Sequence, residues 1–426
     1  MSELHDIAKV AREASYIMAS LGSDIKNKAL ANVASALLSA KDEIFSANRI
    51  DLEEAEKAGL DTPLIKRLKF NDDKINDVVS GIESLIGLED PVGKVTLKTS
   101  LDDGLELTRV TCPIGVIGVI FESRPDALVQ IASLCIKSGN AVFLKGGSEA
   151  INTNKVLASV ISKAGIEAGL PEGWLNLLTL RSEIADMLKL DEYIDLIIPR
   201  GSNSFVQYIM QNTNIAVLGH ADGVCHTYID AEANPATALK VALDAKTQYV
   251  SVCNATETFL INESLKDTFL PEFIDALKNA GVEVFGDSYV SSRFGLTEVT
   301  EWHHEYLAMK CSVKIVKDVE EAISHINHYG SGHTDAIITE NKQTAERFMT
   351  MVDSGSVLVN CSTRFADGFR YGFGAEVGIA TSKIHARGPV GLEGLVSYKY
   401  RLIGNGDIVR PYCDGTKNFK HIHHEI

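Results

Sequence analysis

One thiol stands where a nucleophile could be reached. Cys253 lies in Gln248-Tyr249-Val250-Ser251-Val252-Cys253-Asn254-Ala255-Thr256-Glu257-Thr258. The run from Pro235 to Lys246 reads as a helix, and Thr258-Phe259-Leu260-Ile261 reads as a strand. The thiol therefore falls on a loop of small and polar residues, where a substrate can approach it. A thiol that only fills space fits the same stretch, because free cysteine is among the most often buried residues.

Four other clusters carry chemistry-bearing side chains. Lys145-Gly146-Gly147-Ser148 ends an apolar run and precedes a helical one. A cation, a hydroxyl and bare backbone amides at a helix start suit a phosphate or a ribose. An ordinary strand-to-helix turn explains the stretch as well. Phe121-Glu122-Ser123-Arg124-Pro125 ends another apolar run. There Arg124 could grip a carboxylate or phosphate with both arms of its guanidinium, or sit in a solvated salt bridge. Arg364, Arg370, His385 and Arg387 gather in a late glycine-rich stretch, which suits either an anionic substrate or pairing with nearby acids. The terminal His421, His423 and His424 read as a flexible end rather than a metal site.

The bulk of the chain narrows the class. With 426 residues it is too long for one simple core, so two or three domains are expected. A net charge of −16, from 41 basic and 57 acidic residues, leaves no footprint for nucleic acid or an anionic membrane. The start, Met1-Ser2-Glu3-Leu4-His5-Asp6, has no apolar core of a signal peptide, and no run approaches a membrane span. The expected location is the cytoplasm. Cysteines 112, 135, 225, 253, 311, 361 and 413 are scattered, with no Cys-x-x-Cys pair and no zinc spacing. Reduced thiols and no metal site are the expectation.

The elements that must position these groups alternate in type. Residues 1 to about 90 read as helices, with Ala29, Val33, Leu37, Leu38 and Ile44 near helical spacing. A hairpin follows over about 94–110, turning at Asp102-Asp103-Gly104. Short apolar runs then alternate with helical ones: Ile114 to Phe121, Ala141 to Leu144, Leu175 to Leu178 and Ile194 to Ile198 as strands. That pattern predicts a parallel sheet covered on both faces, with ligands at the carboxyl ends of its strands. The turns Lys145-Gly146-Gly147-Ser148 and Arg200-Gly201-Ser202 sit at two such ends. A second α/β unit follows Cys253, and the stretch from Arg364 to Gly394 reads as loops.

Taken together, these motifs resemble the aldehyde dehydrogenase superfamily, and within it the family of glutamate-5-semialdehyde dehydrogenases. The resemblance rests on Phe121 to Asp126, Leu144 to Ala150, Ile198 to Gly201, Gly219 to His226, Cys253 to Thr258, Tyr329 to Ala336, Ser362 to Gly368 and His385 to Pro389. It spans roughly residues 5 to 410. It implies an α/β fold with a Rossmann-type cofactor domain over 1–230 and a catalytic domain over 231–375. Residues 376–426 would return to the cofactor domain and carry a tail and a strand over Val396 to Leu402, which with the hairpin over about 94–110 would form a small oligomerisation element.

By the same resemblance Cys253 is the nucleophile, and Ser123 helps its backbone amide hold the oxyanion. Lys145 and Ser148 would contact the adenosine ribose, Gly201 and Ser202 the pyrophosphate, and Glu305 the nicotinamide ribose. Arg124 and Arg364 would hold the substrate's carboxylate or phosphate. NADPH is implied as cofactor, since Ser148 stands where NAD-preferring relatives often carry Glu, whose charge would repel a 2′-phosphate. Hydrolytic members open a Glu-Leu-Gly-Gly stretch with a water-activating Glu, whereas this chain reads Val217-Leu218-Gly219-His220. The implied reaction is reduction of L-glutamyl 5-phosphate to the semialdehyde with release of phosphate, the second step of proline synthesis. A related enzyme acting on another acyl phosphate or aldehyde is the alternative. A homo-oligomer and a separate glutamate 5-kinase are the implied partners. Met309-Lys310-Cys311 departs from the family's Pro-Val-Leu beside Glu305.

Overall fold

The computed structural model describes residues 3–180 and 182–426. The first 90 residues form α1 (Glu3–Met18), α2 (Ser23–Ser39), α3 (Lys41–Lys57), α4 (Thr62–Leu68) and α5 (Asp72–Gly87). Leu30, Val33 and Leu37 recur every three or four residues of α2 and are fully buried. They share one face, and burying each contributes about 1.5–3 kcal/mol. At the start of α5 the Asn71 side chain accepts from the Lys74 N–H, satisfying a donor that the first turn cannot use. The expected hairpin follows as β1 (Val95–Asp102) and β2 (Leu105–Pro113), with Gly104 at φ +76° in the turn.

Next come β3 (Val116–Ile120), α6 (Pro125–Ser138), β4 (Ala141–Lys145), α7 (Ile151–Ala168), β5 (Leu175–Leu178), α8 (Ser182–Met187), β6 (Leu196–Pro199), α9 (Asn203–Gln211) and β7 (Ala216–Val217). They make a parallel sheet in the order β5-β4-β3-β6-β7. Every residue of β3, β4 and β6 is buried, because α2, α5, α6 and α7 cover one face and α1, α8 and α9 the other. This is why those strands read as continuous apolar runs. The chain crosses back between β5 and β6, so the crevice between β3 and β6 is the sheet's topological switch point.

A second parallel sheet is built from β8 (Cys225–Ile229), α10 (Pro235–Thr247), β9 (Thr256–Asn262), α11 (Leu270–Asn279), β10 (Glu283–Gly286), α12 (Ser288–Phe294), β11 (Thr297–Glu298), β12 (Lys310–Val316), α13 (Val319–Tyr329), β13 (Thr334–Ile338), α14 (Lys342–Met351) and β14 (Ser356–Val359). Its order is β11-β10-β12-β9-β8-β13-β14, with separate cores on its two faces. β8 belongs to this second sheet, although the expected cofactor domain runs to residue 230. Its five residues are all buried and show no alternation, so only its pairing with β9 and β13 reveals where it belongs.

The late glycine-rich stretch contains β15 (Gly378–Ala380) and β16 (Gly388–Val390), a short antiparallel pair. Val377, Ala380, Val390 and Leu395 pack into the core beneath the first sheet. β17 (Val396–Ile403) then pairs with β2, and after α15 (Arg410–Cys413) the chain ends in β18 (Ile422–His424), which pairs with β1. The tail expected to be flexible is thus the edge of a four-stranded antiparallel sheet. The outer edge of β1 offers unpaired backbone groups, and Thr99 Oγ1 and Ser100 Oγ meet the rings of His423 and His424 at 3.1 and 2.7 Å. Among the described residues no helix is long and apolar enough to cross a membrane.

Candidate active site

The carboxyl edge of the five-stranded sheet faces the amino edge of the seven-stranded one. From the first edge come Arg200 and Gly201, directly after β6; from the second come Cys253, just before β9, and His333, just before β13. Arg200, Gly201, Cys253 and Glu305 line a shared cavity of about 460 Å³ with His220 and Glu376. A larger cavity of about 530 Å³ is lined by Lys94, Phe373, His385 and Arg387, so two members of the late arginine and histidine cluster lie there and not beside Cys253.

The loop bearing Cys253 is fastened from several sides. The Cys225 thiol donates to the Cys253 carbonyl at 3.1 Å, and Asn254 Nδ2 donates to the Ala366 carbonyl at 2.8 Å. The Thr256 hydroxyl meets those of Thr227 at 2.8 Å and Thr363 at 3.1 Å. Beneath it, Gly223 passes so close that a Cβ there would lie 2.3 Å from the Cys253 carbonyl oxygen. Lys246 and Glu257 form a fully buried ion pair at 2.6 Å. Burial holds the Glu257 carboxyl up at about 7 even so. Its other oxygen accepts from the Leu307 N–H at 3.3 Å, which ties the Glu305 segment to the strand after the thiol.

Cys253 is half-buried, and His333 Nε2 lies 3.1 Å from its sulfur. His333 is itself 1 % exposed, with Nδ1 2.8 Å from the Thr334 hydroxyl. His220 stacks edge-on against it at 4.8 Å between ring centroids and donates from Nδ1 to the Ile379 carbonyl at 2.8 Å. Burial pushes the His220 pKa down, which keeps its ring neutral. The Cys225 thiol, by contrast, is pushed far up by burial and is inert. The Cys253 backbone N–H has no acceptor among the described residues.

Two arginines near the thiol have no acid within ion-pair distance among the described residues. Arg364 is 8 % exposed, and its Nε donates to the neutral Gln248 side chain at 3.0 Å. Burial, and then Arg370, lower its pKa. Arg200 is lowered by burial and then by Arg124, while Glu376 and Asp126 act on it only from a distance. An uncompensated buried guanidinium calls for an anion.

The other expected residues divide. Glu305 accepts from Asn203 Nδ2 at 3.1 Å, at the first turn of α9. Ser202 stands at the N-cap of that helix and makes no capping bond. Lys145 is buried at the end of β4, and Ser148 is exposed at the 3-10 turn that follows. Because β3 pairs with both β4 and β6, all these turns leave the same sheet edge. Ser123 and Arg124 do not line the Cys253 cavity. The Ser123 backbone N–H and hydroxyl both donate to Glu149, at 2.8 and 2.5 Å, and Ser123 holds φ +45°. Arg124 is paired with Asp126 at 2.8 Å. Sequence reasoning missed His333, His220 and Arg200 as site residues, although all three fell inside the quoted motifs.

The chain matches the model of the aldehyde dehydrogenase family over residues 2–289 and 300–395. It is 60% identical over 421 residues to the γ-glutamyl phosphate reductase of Pelotomaculum thermopropionicum, covering 98% of this chain and 97% of that one. It is 59% identical over 420 residues to the γ-glutamyl phosphate reductase of Acetivibrio thermocellus, again covering 98% and 97%. The crystal structure of γ-glutamyl phosphate reductase from Thermotoga maritima superposes with a TM-score of 0.93 at 40% identity, covering 96% of this chain and all (100%) of that one. With Cys253 and its partners set between two parallel sheets as described, this chain belongs to the aldehyde dehydrogenase family and, within it, to the γ-glutamyl phosphate reductases.

Proposed function

We propose that this enzyme reduces L-glutamyl 5-phosphate to L-glutamate 5-semialdehyde with release of phosphate, as the second step of proline biosynthesis. The observation that carries the reading is the Cys253 thiol, 3.1 Å from His333 Nε2, in a cavity shared with Arg200 and close to the electrostatic reach of Arg364. A Cys–His contact generates a nucleophile, and arginines without an acid partner among the described residues suit an anionic substrate.

The residues present fit a nicotinamide dinucleotide. Gly201 follows β6 directly with its backbone bare, and the first turn of α9 behind it carries no acid. That arrangement suits a pyrophosphate at Gly201 and Ser202. Glu305 would take the nicotinamide ribose, with Lys145 and Ser148 at the adenosine ribose. We assign NADPH over NADH because Ser148 is neutral and exposed, beside a lysine. The bound cofactor would supply the hydride.

The protein's own part is as follows. With Nδ1–H given to the Thr334 hydroxyl, His333 Nε2 takes the Cys253 proton. The thiolate attacks the acyl carbon, and phosphate leaves with the electrons of the acyl C–O bond. The Cys253 N–H, lacking an acceptor, is the oxyanion donor. Ser123 joins it only by giving up Glu149. Arg364 and Arg200 hold the phosphate and the carboxylate, with Arg124 held back by Asp126. Val217 at the position of the family's water-activating Glu is 7 % exposed and apolar, which protects the thioester from hydrolysis. We further propose the division into a cofactor domain, a catalytic domain and an oligomerisation element, and a homo-oligomer. Tyr398, Tyr400, Leu402 and Ile403 of β17 stand 54–70 % exposed, a surface suited to a second copy. A cytoplasmic location, with glutamate 5-kinase as a separate chain, completes the proposal.

The test is the reverse reaction: NADP⁺ reduction with L-glutamate 5-semialdehyde, with and without inorganic phosphate. Strict dependence on phosphate is expected. Turnover without phosphate would point to a hydrolytic enzyme, and none under either condition to another substrate.

A further inference from the structure

We propose that His220, Cys253 and His333 form a reversible inhibitory site for Zn²⁺. The inhibitory consequence rests on Cys253 being the nucleophile; the binding itself does not. The ligand atoms of the three side chains all lie within 4.8 Å of one another, and His333 Nε2 is already 3.1 Å from the sulfur. Bonds of about 2.3 Å to sulfur and about 2.0–2.1 Å to nitrogen place tetrahedral zinc ligands roughly 3.3–3.6 Å apart. The trio therefore needs a contraction of at most about 1.5 Å, within reach of side-chain rotation.

The rings are set in advance for this. A carbonyl only accepts, so the Ile379 contact at 2.8 Å fixes the His220 proton on Nδ1 and leaves the Nε2 lone pair available. The Thr334 hydroxyl, 2.8 Å from His333 Nδ1, holds that ring in place and can accept its Nδ1 proton while Nε2 faces the sulfur. Metal-bound imidazoles are oriented by such outer contacts. One thiolate and two imidazoles favour Zn²⁺ over Mg²⁺ or Ca²⁺. Three protein ligands leave the fourth direction to water or a phosphate oxygen in the cavity. As the Zn–S bond forms, the thiol proton passes to solvent and no electrons change hands. A thiolate committed to zinc cannot attack the acyl carbon.

The experiment uses the full chain and Co²⁺ as probe, read by the thiolate-to-cobalt charge-transfer band. Zn²⁺ is then used to displace Co²⁺, to inhibit turnover and to protect Cys253 from alkylation by iodoacetamide. One Co²⁺ per chain is expected, with no band in Cys253→Ala. Affinity should fall about tenfold or more in His220→Asn and His333→Asn. Protection of Cys253 in the unaltered chain, mapped by peptide mass, needs no variant to fold. Absence of the band in the unaltered chain, its persistence in Cys253→Ala, or unchanged affinity in both histidine variants would overturn the proposal. If no metal binds while Cys253→Ala abolishes turnover, the nucleophile stands and the metal site falls. If metal binds but Cys253→Ala keeps turnover, the metal site stands and the nucleophile falls.

Discussion

Adding one methyl group at Gly223 should disable the enzyme without unfolding it. A Cβ there would meet the Cys253 carbonyl oxygen at 2.3 Å, its Cα at 2.4 Å and its Cβ at 2.5 Å, where ordinary contact begins at 3.4 Å. The backbone under the thiol must therefore retreat by about 1.1 Å, from 3.4 minus 2.3. Gly223 does not have a positive φ, so alanine adds no backbone strain and the effect is confined to this contact. The loop cannot retreat freely. Cys225 holds the same carbonyl at 3.1 Å, and Asn254 is anchored to Ala366 at 2.8 Å. A misplacement of about 1 Å costs about 100-fold in rate, or about 2.7 kcal/mol of activation free energy. Forcing a methyl into a packed site costs about 1–3 kcal/mol of stability. The assay is kcat in the phosphate-dependent direction, beside NADPH binding and urea unfolding of Gly223→Ala. Cofactor affinity should hold, since Gly201 and Glu305 come from other elements. A folded Gly223→Ala enzyme with kcat within about threefold of the parent would refute the idea that rigid placement of the thiol limits the reaction.

Two further predictions test the electrostatics. Arg200→Ala and Arg364→Ala should each raise KM for the acyl phosphate by about 10- to 100-fold, the worth of a charge-assisted hydrogen bond. Arg124→Ala should do less, because its guanidinium is already paired with Asp126 at 2.8 Å; equal effects in a steady-state series would remove the distinction. His325, 4 % exposed and facing His226 and Lys314, has its pKa driven by burial from 6.5 to about 2. The unfolded chain binds a proton there below 6.5 and the folded chain does not, so this contribution is present above 6.5 and lost as pH falls towards 2. Folding stability should decline by about 1.4 kcal/mol per pH unit in that window on account of this group. Urea unfolding of His325→Gln between about pH 4.5 and 6 should show a slope shallower by about that amount, and an unchanged slope would contradict it.

Several features were legible from residue order alone because their causes are local. β3 and β4 are continuous apolar runs, since both faces of each are covered. Asp103-Gly104 marks the hairpin because Gly104 adopts φ +76°. Cys253 stood out as a thiol between a helix and a strand. β8 and β18 were not legible: the first is too short to show a period, and the second borrows its order from the open edge of β1.

The sequence by itself determined the class of sheet and the family resemblance, and it singled out Cys253 as the candidate nucleophile, since each is written in contiguous residues. Only the tertiary structure decided what surrounds the sulfur. His220, Cys253 and His333 leave three different loops, and they meet because the amino ends of β9 and β13 flank the start of β8. The rule that ligands gather at carboxyl ends of strands pointed only to the other half of the cavity, where Arg200 and Gly201 emerge. Nor could the order of residues distinguish Arg124, neutralised by Asp126, from Arg200 and Arg364, which lack an acid partner among the described residues. A charge's availability depends on what packs against it in the fold: Arg124 turns onto Asp126 two residues on, whereas Arg364 meets only the neutral Gln248 at a separation of 116.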